Sequence, residues 1–289
     1  MSILITGANR GIGNGILSEI IKGENEKTIY LCLRSKEKFD STIESLEQEV
    51  KSKCQFKYLE IDLNDSTAVD SAVNQLVKDK VSLNTVINNA AVLYWEKIPG
   101  VSRKTLDINF LNVKKFNDKL LEHNLIAKEG HIIFLSTVAG NINIITDNTW
   151  VEKLKKAKLI DLEQLAEDFI HQADVEGKIE KLIGYTKKLP KEYSFSKLLI
   201  NIYVRLLVES PRVKENAIFV NSIFPGFVKT DMAGEMGIVS ISQGARPVIE
   251  CIGMDKEQKE KVNGLLLTDK LIPLDVMDES VDFFAYKPK

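Results

Sequence analysis

Thr6-Gly7-Ala8-Asn9-Arg10-Gly11-Ile12-Gly13 places three glycines between a short apolar run, Ile3-Leu4-Ile5, and a stripe made by Ile12, Ile16, Leu17, Ile20 and Ile21. The run reads as a strand, and the i, i+4, i+5, i+8, i+9 stripe as a helix with one buried face. A glycine loop in that position lets the backbone come close to a pyrophosphate. The open N–H groups and partial positive charge of the helix N-terminus then face the anion. Glycines alone mark only turns; the strand before and the helix after give this spacing its meaning.

Outward from this unit the pattern repeats. Residues 28–33 form a second strand, and Ile43, Leu46 and Val50 mark a second helix. Residues 58–61, followed by Val69, Val73, Leu76 and Val77, give a third pair. A fourth strand at 86–87 leads to a long helix through Leu106, Phe110, Val113, Phe116 and Leu120. Residues 131–135 form a fifth strand, 193–209 a helix, 217–223 a sixth strand and 265–268 a seventh. A parallel neighbour needs a crossover, usually a helix, so this alternation predicts a doubly wound α/β fold of Rossmann type with a parallel, seven-stranded sheet. One domain over residues 1–289 accommodates it. Residues 141–190 break the rhythm, and there Leu162, Leu165, Ala166, Phe169 and Ile170 keep helical spacing, which predicts a helical insertion.

The 289 residues are 44% hydrophobic and 28% charged, enough apolar surface for a core and outside the range of collagen-like, low-complexity or disordered chains. The net charge of −2 offers no field to gather polyanions, so nucleic acid is not an expected partner. Cys32, Cys54 and Cys251 lack CxxC spacing and read as reduced, packed thiols, which fits a cytoplasmic protein. No basic segment followed by an apolar core opens the sequence, and Asn201 and Arg205 interrupt its most apolar later stretch, 198–208; neither a secretory signal nor a membrane span is expected. His123, His131 and His171 have no ligand spacing, so no metal is expected.

The G-x-x-x-G-x-G spacing resembles that of the short-chain dehydrogenase/reductase family, and further landmarks follow in order. Asp62, with Leu63 beside it, resembles the family's adenine-contacting acid; Asn88-Asn89-Ala90 resembles Asn-Asn-Ala-Gly; and Asn109 lies where the family keeps a helix Asn. Ser136-Thr137-Val138-Ala139-Gly140 is similar to Ser-Ser-x-x-Gly, Tyr193-Ser194-Phe195-Ser196-Lys197 to Tyr-x-x-x-Lys, and Pro225-Gly226 with Val228 and Thr230 to the loop after the sixth strand. The insertion before Tyr193 and the cluster Phe224-Pro225-Gly226-Phe227-Val228-Lys229-Thr230-Asp231-Met232 resemble the monomeric, NADPH-dependent carbonyl reductases of that family. The resemblance implies a cofactor site formed by Gly7, Asn9, Arg10, Gly11, Ile12, Gly13, Arg34, Asp62, Leu63, Asn89, Ala90, Tyr193, Lys197, Pro225, Gly226, Val228 and Thr230. It also implies a monomer whose insertion covers the helices that pair in dimeric relatives.

Residue chemistry leads to the same place. Tyr193 and Lys197 are i, i+4 neighbours on one helix face. An ordinary Tyr pKa near 10 is too high for proton exchange at neutrality, and a nearby cation lowers it. A drop of about three units takes about 4 kcal/mol of differential stabilisation. Tyr193 is then the acid for a carbonyl oxygen, with Lys197 as its pKa modifier and ribose ligand. A hydroxyl must also hold the developing oxyanion. Anchoring on Gly140 puts that role at Thr137, with Ser136 the other choice. By resemblance, Asn109 stabilises a helix distortion and a proton route from Lys197. Ala91 replaces a glycine that the family usually carries beside the ribose.

NAD-specific sites end the second strand with an acid, whereas this chain has Leu33-Arg34-Ser35. Arg34 and Arg10 offer guanidinium groups for a 2′-phosphate, which predicts NADPH/NADP+. The expected reaction is therefore NADPH-dependent reduction of a small-molecule aldehyde or ketone. Thr137 and Ala91 keep a second reading open, a cofactor-binding regulatory or scaffold protein with little turnover. Tyr94 and Trp95, and Trp150 in the insertion, are candidates for either a substrate pocket or packing.

Overall fold

In the computed structural model, residues 1–281 are described except 24, 25, 47, 48, 50–52, 185, 187 and 188. Seven strands lie parallel: β1 (Ser2–Thr6), β2 (Lys27–Leu33), β3 (Cys54–Glu60), β4 (Leu83–Asn88), β5 (Ile126–Leu135), β6 (Phe219–Ile223) and β7 (Leu266–Leu267). An eighth, β8 (Pro273–Leu274), pairs antiparallel with β7, a strand that the sequence pattern does not announce. At two residues it is too short for periodicity, and its proline is tolerated at a sheet edge. The sheet order is β3-β2-β1-β4-β5-β6-β7-β8.

The helices between these strands are α1 (Gly11–Ile20), α2 (Lys36–Glu44), α3 (Ser66–Lys78), α4 (Val101–Leu106) and α5 (Asn112–Glu122). They are followed by α6 (Asn148–Lys156), α7 (Leu162–Ile170), α8 (Ile179–Leu182), α9 (Lys191–Leu207), α10 (Pro211–Glu215), α11 (Ile241–Gly253) and α12 (Lys256–Val262). The second helix is centred earlier than Ile43, Leu46 and Val50 suggest, because Ser35 caps it by accepting from the Lys38 N–H. Val50 lies outside the described residues.

Successive strand residues serve opposite layers. Leu4 packs with the α3, α5 and α9 side of the sheet, while Ile3 and Ile5 pack with α1 and α11. Both faces are covered, so the strands read as unbroken apolar runs. The chain builds β1, β2 and β3 outward in one direction and then crosses to place β4 on the other side of β1. That reversal opens a crevice at the carboxyl ends of β1 and β4, where ligands bind in open α/β sheets.

The insertion, 141–190, holds α6, α7 and α8 and packs on the α5 and α9 side. Phe169 of α7 stacks on Phe195 of α9 with centroids 3.9 Å apart, and Trp150 of α6 meets the same ring edge-on at 5.8 Å. Trp150 is thus a packing residue, its indole N–H donating to Gln172 at 3.3 Å. Arg103 binds both carboxylate oxygens of Glu167, Lys114 reaches Glu163 at 2.8 Å, and the Asp174 carboxylate accepts from the Ser102 and Arg103 N–H groups at 3.3 and 3.0 Å. The insertion therefore fixes the start of α4 and reaches α5 through the Lys114–Glu163 pair.

Candidate active site

Gly7 and Gly11 have φ values of +68° and +55°, conformations glycine adopts without strain. Gly13 is needed for closeness: a Cβ there would lie 2.3 Å from the Gly7 carbonyl oxygen and 2.5 Å from the Asn89 amide nitrogen. The cap of α1, Arg10, makes no side-chain hydrogen bond to the helix amides, and no acidic residue lies in the first turn, so the leading amides are open to an anion. Thr6 secures the loop from below, its hydroxyl accepting from the Asn89 and Ala90 N–H groups at 3.0 and 2.9 Å. The Asn89 side chain donates to the carbonyls of Thr6 and Gly7 at 2.9 and 3.1 Å. Asn88 instead turns into the core, where its amide and that of Asn117 bond reciprocally at 3.0 and 2.9 Å.

These residues form one end of a cleft of about 360 Å³. Its walls include Gly7, Asn9, Arg10, Gly11, Ile12, Arg34, Asp62, Leu63, Asn89, Ala90, Ala91, Ser136, Tyr193, Lys197, Pro225 and Thr230. Of the expected cofactor residues, Gly13, Gly226 and Val228 stand behind this surface. Gly226 turns the chain at φ +83°, and Val228 is buried against Gly244 of α11. Lys38 lines the cleft too and escaped the sequence reading. The available signal was its spacing of four from Arg34 across the Ser35 cap. Arg34, Lys38 and Arg10 thus gather three cations at one end, although Arg10 also contacts Asp231 at 3.4 Å.

At the other end, Lys197 donates to the Leu135 carbonyl at 2.7 Å, and its ammonium lies 5.7 Å from the centroid of the Tyr193 ring. Burial pushes the Lys197 ammonium down to about 8 and the Tyr193 phenol up to about 12. In this state Tyr193 is a protonated acid, and Lys197 is poised close to neutrality. Asn109 lies in a π-helical turn, Asp107–Leu111, that joins α4 to α5. Its amide spans the Val92 backbone, accepting from the N–H and donating to the carbonyl at 2.8 Å each, and donates to Ser196 Oγ at 3.2 Å. The long helix is thus distorted at the position expected of Asn109, which ties the loop after β4 to the Tyr-bearing helix.

The hydroxyl pair is ordered differently from the expectation. Ser136 faces the cleft, and its buried oxygen has no hydrogen-bond partner. Thr137, expected first, is absent from the cleft wall; its hydroxyl oxygen accepts from the Ala139 N–H at 3.2 Å within the loop. Gly140 follows because a Cβ there would meet the backbone of Lys197 and Leu198 at 2.6 and 2.7 Å.

Among the described residues, no group of three or more His, Cys, Asp or Glu side chains is placed to hold a metal, and no helix is long and apolar enough to cross a membrane. His131 is buried with Nε2 at 3.0 Å from the Asn221 amide oxygen, and all three cysteines are buried free thiols.

The glycine cradle, the three cations and the unpartnered Ser136 hydroxyl suit a phosphorylated dinucleotide with its reactive end beside Tyr193. Over nearly its whole length the chain is similar to human carbonyl reductase (NADPH) 3, at 25% identity over 279 residues, covering 93% of this chain and 96% of that protein. Salutaridine reductase from Papaver somniferum has the same fold, with a TM-score of 0.76 at 18% identity and coverage of 92% and 98%. So does the NADPH-bound carbonyl reductase from chicken fatty liver, with a TM-score of 0.66 at 19% identity and coverage of 94% and 98%. A sequence model of the short chain dehydrogenases matches residues 1–149, from the glycine loop past the Ser136 loop, and the chain belongs to the short-chain dehydrogenase family.

Proposed function

We propose that this protein reduces a small-molecule aldehyde or ketone to the alcohol with NADPH as hydride donor. The observation that carries the reading is the single cleft in which Tyr193 and Lys197 face the glycine loop. The similarity to carbonyl reductase (NADPH) 3 supports the same choice. Arg34, Lys38 and Arg10 hold the 2′-phosphate, for which guanidinium forks are well suited. The open amides of α1 hold the pyrophosphate, Asp62 and Leu63 border the adenine end, and Asn89, Ala90, Pro225 and Thr230 flank the middle.

When bound, the reduced cofactor supplies a hydride to the carbonyl carbon. Tyr193 gives its phenolic proton to the carbonyl oxygen as negative charge develops there. Ser136 donates its hydroxyl hydrogen bond to the same oxygen, fixing it beside the phenol. The Lys197 ammonium stabilises the phenolate left behind. Asn109 holds the Val92 loop and the Tyr-bearing helix in register.

The test is NADPH oxidation with a panel of aldehydes, diketones and quinones. Tyr193→Phe removes turnover and leaves NADPH binding intact, and Ser136→Ala lowers kcat by about a hundredfold, as loss of one oxyanion donor does elsewhere. Thr137→Val changes kcat by less than threefold. Equal rates for wild type and Tyr193→Phe refute the reading, and tight NADPH binding without turnover of any carbonyl gives the regulatory alternative.

The insertion packs on α4 and α9, so the protein is expected to be a monomer, which light scattering at micromolar concentration checks. Its free thiols fit the reducing cytosol.

A further inference from the structure

A second cavity, of about 420 Å³, has walls that neighbour those of the cleft along the chain. Its walls are Tyr94 and Trp95 from the loop after β4, Val101 at the start of α4, Ile179 of the insertion, and Leu189 and Pro190 just before α9. Two features tie it to the chemistry. Pro190, Lys191 and Glu192 line it, and the next residue, Tyr193, lines the cleft. Trp95 lines it as well and donates its indole N–H across the opening to the carbonyl of Met232, itself a wall of the cleft, at 3.0 Å. Trp95 is 47% exposed, an unusual position for a large aromatic that has no other role.

We propose that this cavity is the subsite for the distal body of the carbonyl substrate, and that Trp95 sets which substrates are accepted. The inference rests on the carbonyl-reductase reading, because it takes the reacting oxygen to lie at Tyr193. A substrate held there has one side toward the cofactor end and the other toward the 190–192 turn, which opens into the cavity. The walls present two aromatic faces and four aliphatic side chains, surfaces that gain from burying a ring body and nothing from a sugar-like chain of hydroxyls. The class selected is a ketone or aldehyde carrying one or two apolar rings. The size suits it, since ligand pockets start at roughly 300 Å³.

The experiment compares kcat/KM for a series running from a short aliphatic aldehyde through one-ring to two-ring ketones. Wild type, Val101→Trp, which fills the cavity, and Trp95→Ala, which removes a wall and the tether to Met232, are measured alongside NADPH binding by fluorescence. In wild type, kcat/KM rises with ring number. Each variant lowers kcat/KM for the two-ring ketone by about tenfold or more, in the range expected of a mis-sized apolar pocket, and moves the short aldehyde by less than twofold. NADPH binding stays constant, which reports that both variants are folded. A flat size series in wild type, or an equal loss for small and large substrates in both variants, overturns the subsite while leaving the carbonyl-reductase reading in place. Wild type that binds NADPH and reduces no member of the series overturns that reading and the subsite together.

Discussion

Replacing Lys197 by Met removes the ammonium from beside Tyr193 and keeps a side chain of similar length in its buried channel. The size of the effect follows from the geometry. With the ammonium 5.7 Å from the ring centroid, its attraction to the charge spread over a phenolate is about 3 kcal/mol at an effective dielectric constant of about 20, or about two pH units on the phenol. Burial holds Tyr193 at about 12 with Lys197 already beside it, so the filled cleft must provide the descent toward neutrality. Without the ammonium, the phenol is a weaker acid by about two units, and kcat for carbonyl reduction falls by about a hundredfold at pH 7. The wild-type profile carries a second mark of the same pair. Lys197, held at about 8, is charged below that pH and neutral above it, so kcat/KM declines as pH rises through about 8. In Lys197→Met this limb is missing. The assay is the pH dependence of kcat and kcat/KM for both proteins, with NADPH dissociation constants measured in parallel to separate proton chemistry from ribose binding. A variant with the wild-type limb near pH 8 and a fall in kcat of less than threefold would show that Lys197 does not act through the phenol.

Three further expectations follow from other parts of the molecule. Gly13→Ala places a Cβ 2.3 Å from the Gly7 carbonyl oxygen, so NADPH affinity falls by at least about tenfold, readable by fluorescence titration, whereas Gly100→Ala, with open space around it, leaves affinity unchanged. Arg34→Asp combined with Lys38→Glu shifts the ratio of NADPH to NADH efficiency toward NADH by more than about tenfold, and an unchanged ratio removes these two residues from the phosphate site. His131, buried and pushed down to about 4, binds fewer protons folded than unfolded between about 4 and 6.5. The stability it contributes is complete above that window and lost as pH falls through it, about 2 kcal/mol by pH 5; urea unfolding of wild type at pH 8 and 5 loses more than His131→Gln by that amount.

Much of the fold was legible because its signals are local. Strands buried on both faces show as unbroken apolar runs, and crossover helices as single stripes, so the β1 to β7 order could be read from residues such as Ile3, Leu4, Ile5 and the Ile16 and Leu17 pair. The second helix was harder. Its start is set by the Ser35 cap and not by apolar spacing, and only Phe39 and Thr42 of Lys36–Glu44 are buried, too few to make a stripe. The edge strand β8 left no periodic trace at all, since two residues have no period.

The site divides along the same line. Glycine positions are dictated by backbone geometry within a few residues, so Gly7 and Gly11 could be placed from the loop itself, whereas helical spacing shows only that Tyr193 and Lys197 share a face and the family resemblance singles them out. Which of two adjacent hydroxyls faces the substrate depends instead on how the loop after β5 lies against α9. There Gly140 rests on the Lys197 backbone, and Asn201 donates to the carbonyls of Thr137 and Gly140 at 3.4 and 2.7 Å. These contacts set the loop in which the Thr137 hydroxyl accepts from Ala139 while the Ser136 oxygen is buried without a partner beside the cleft. Spacing from Gly140 favours Thr137, yet Ser136 carries the same donor one position away. The choice rests on contacts between residues about sixty positions apart, and no window on the sequence contains both partners.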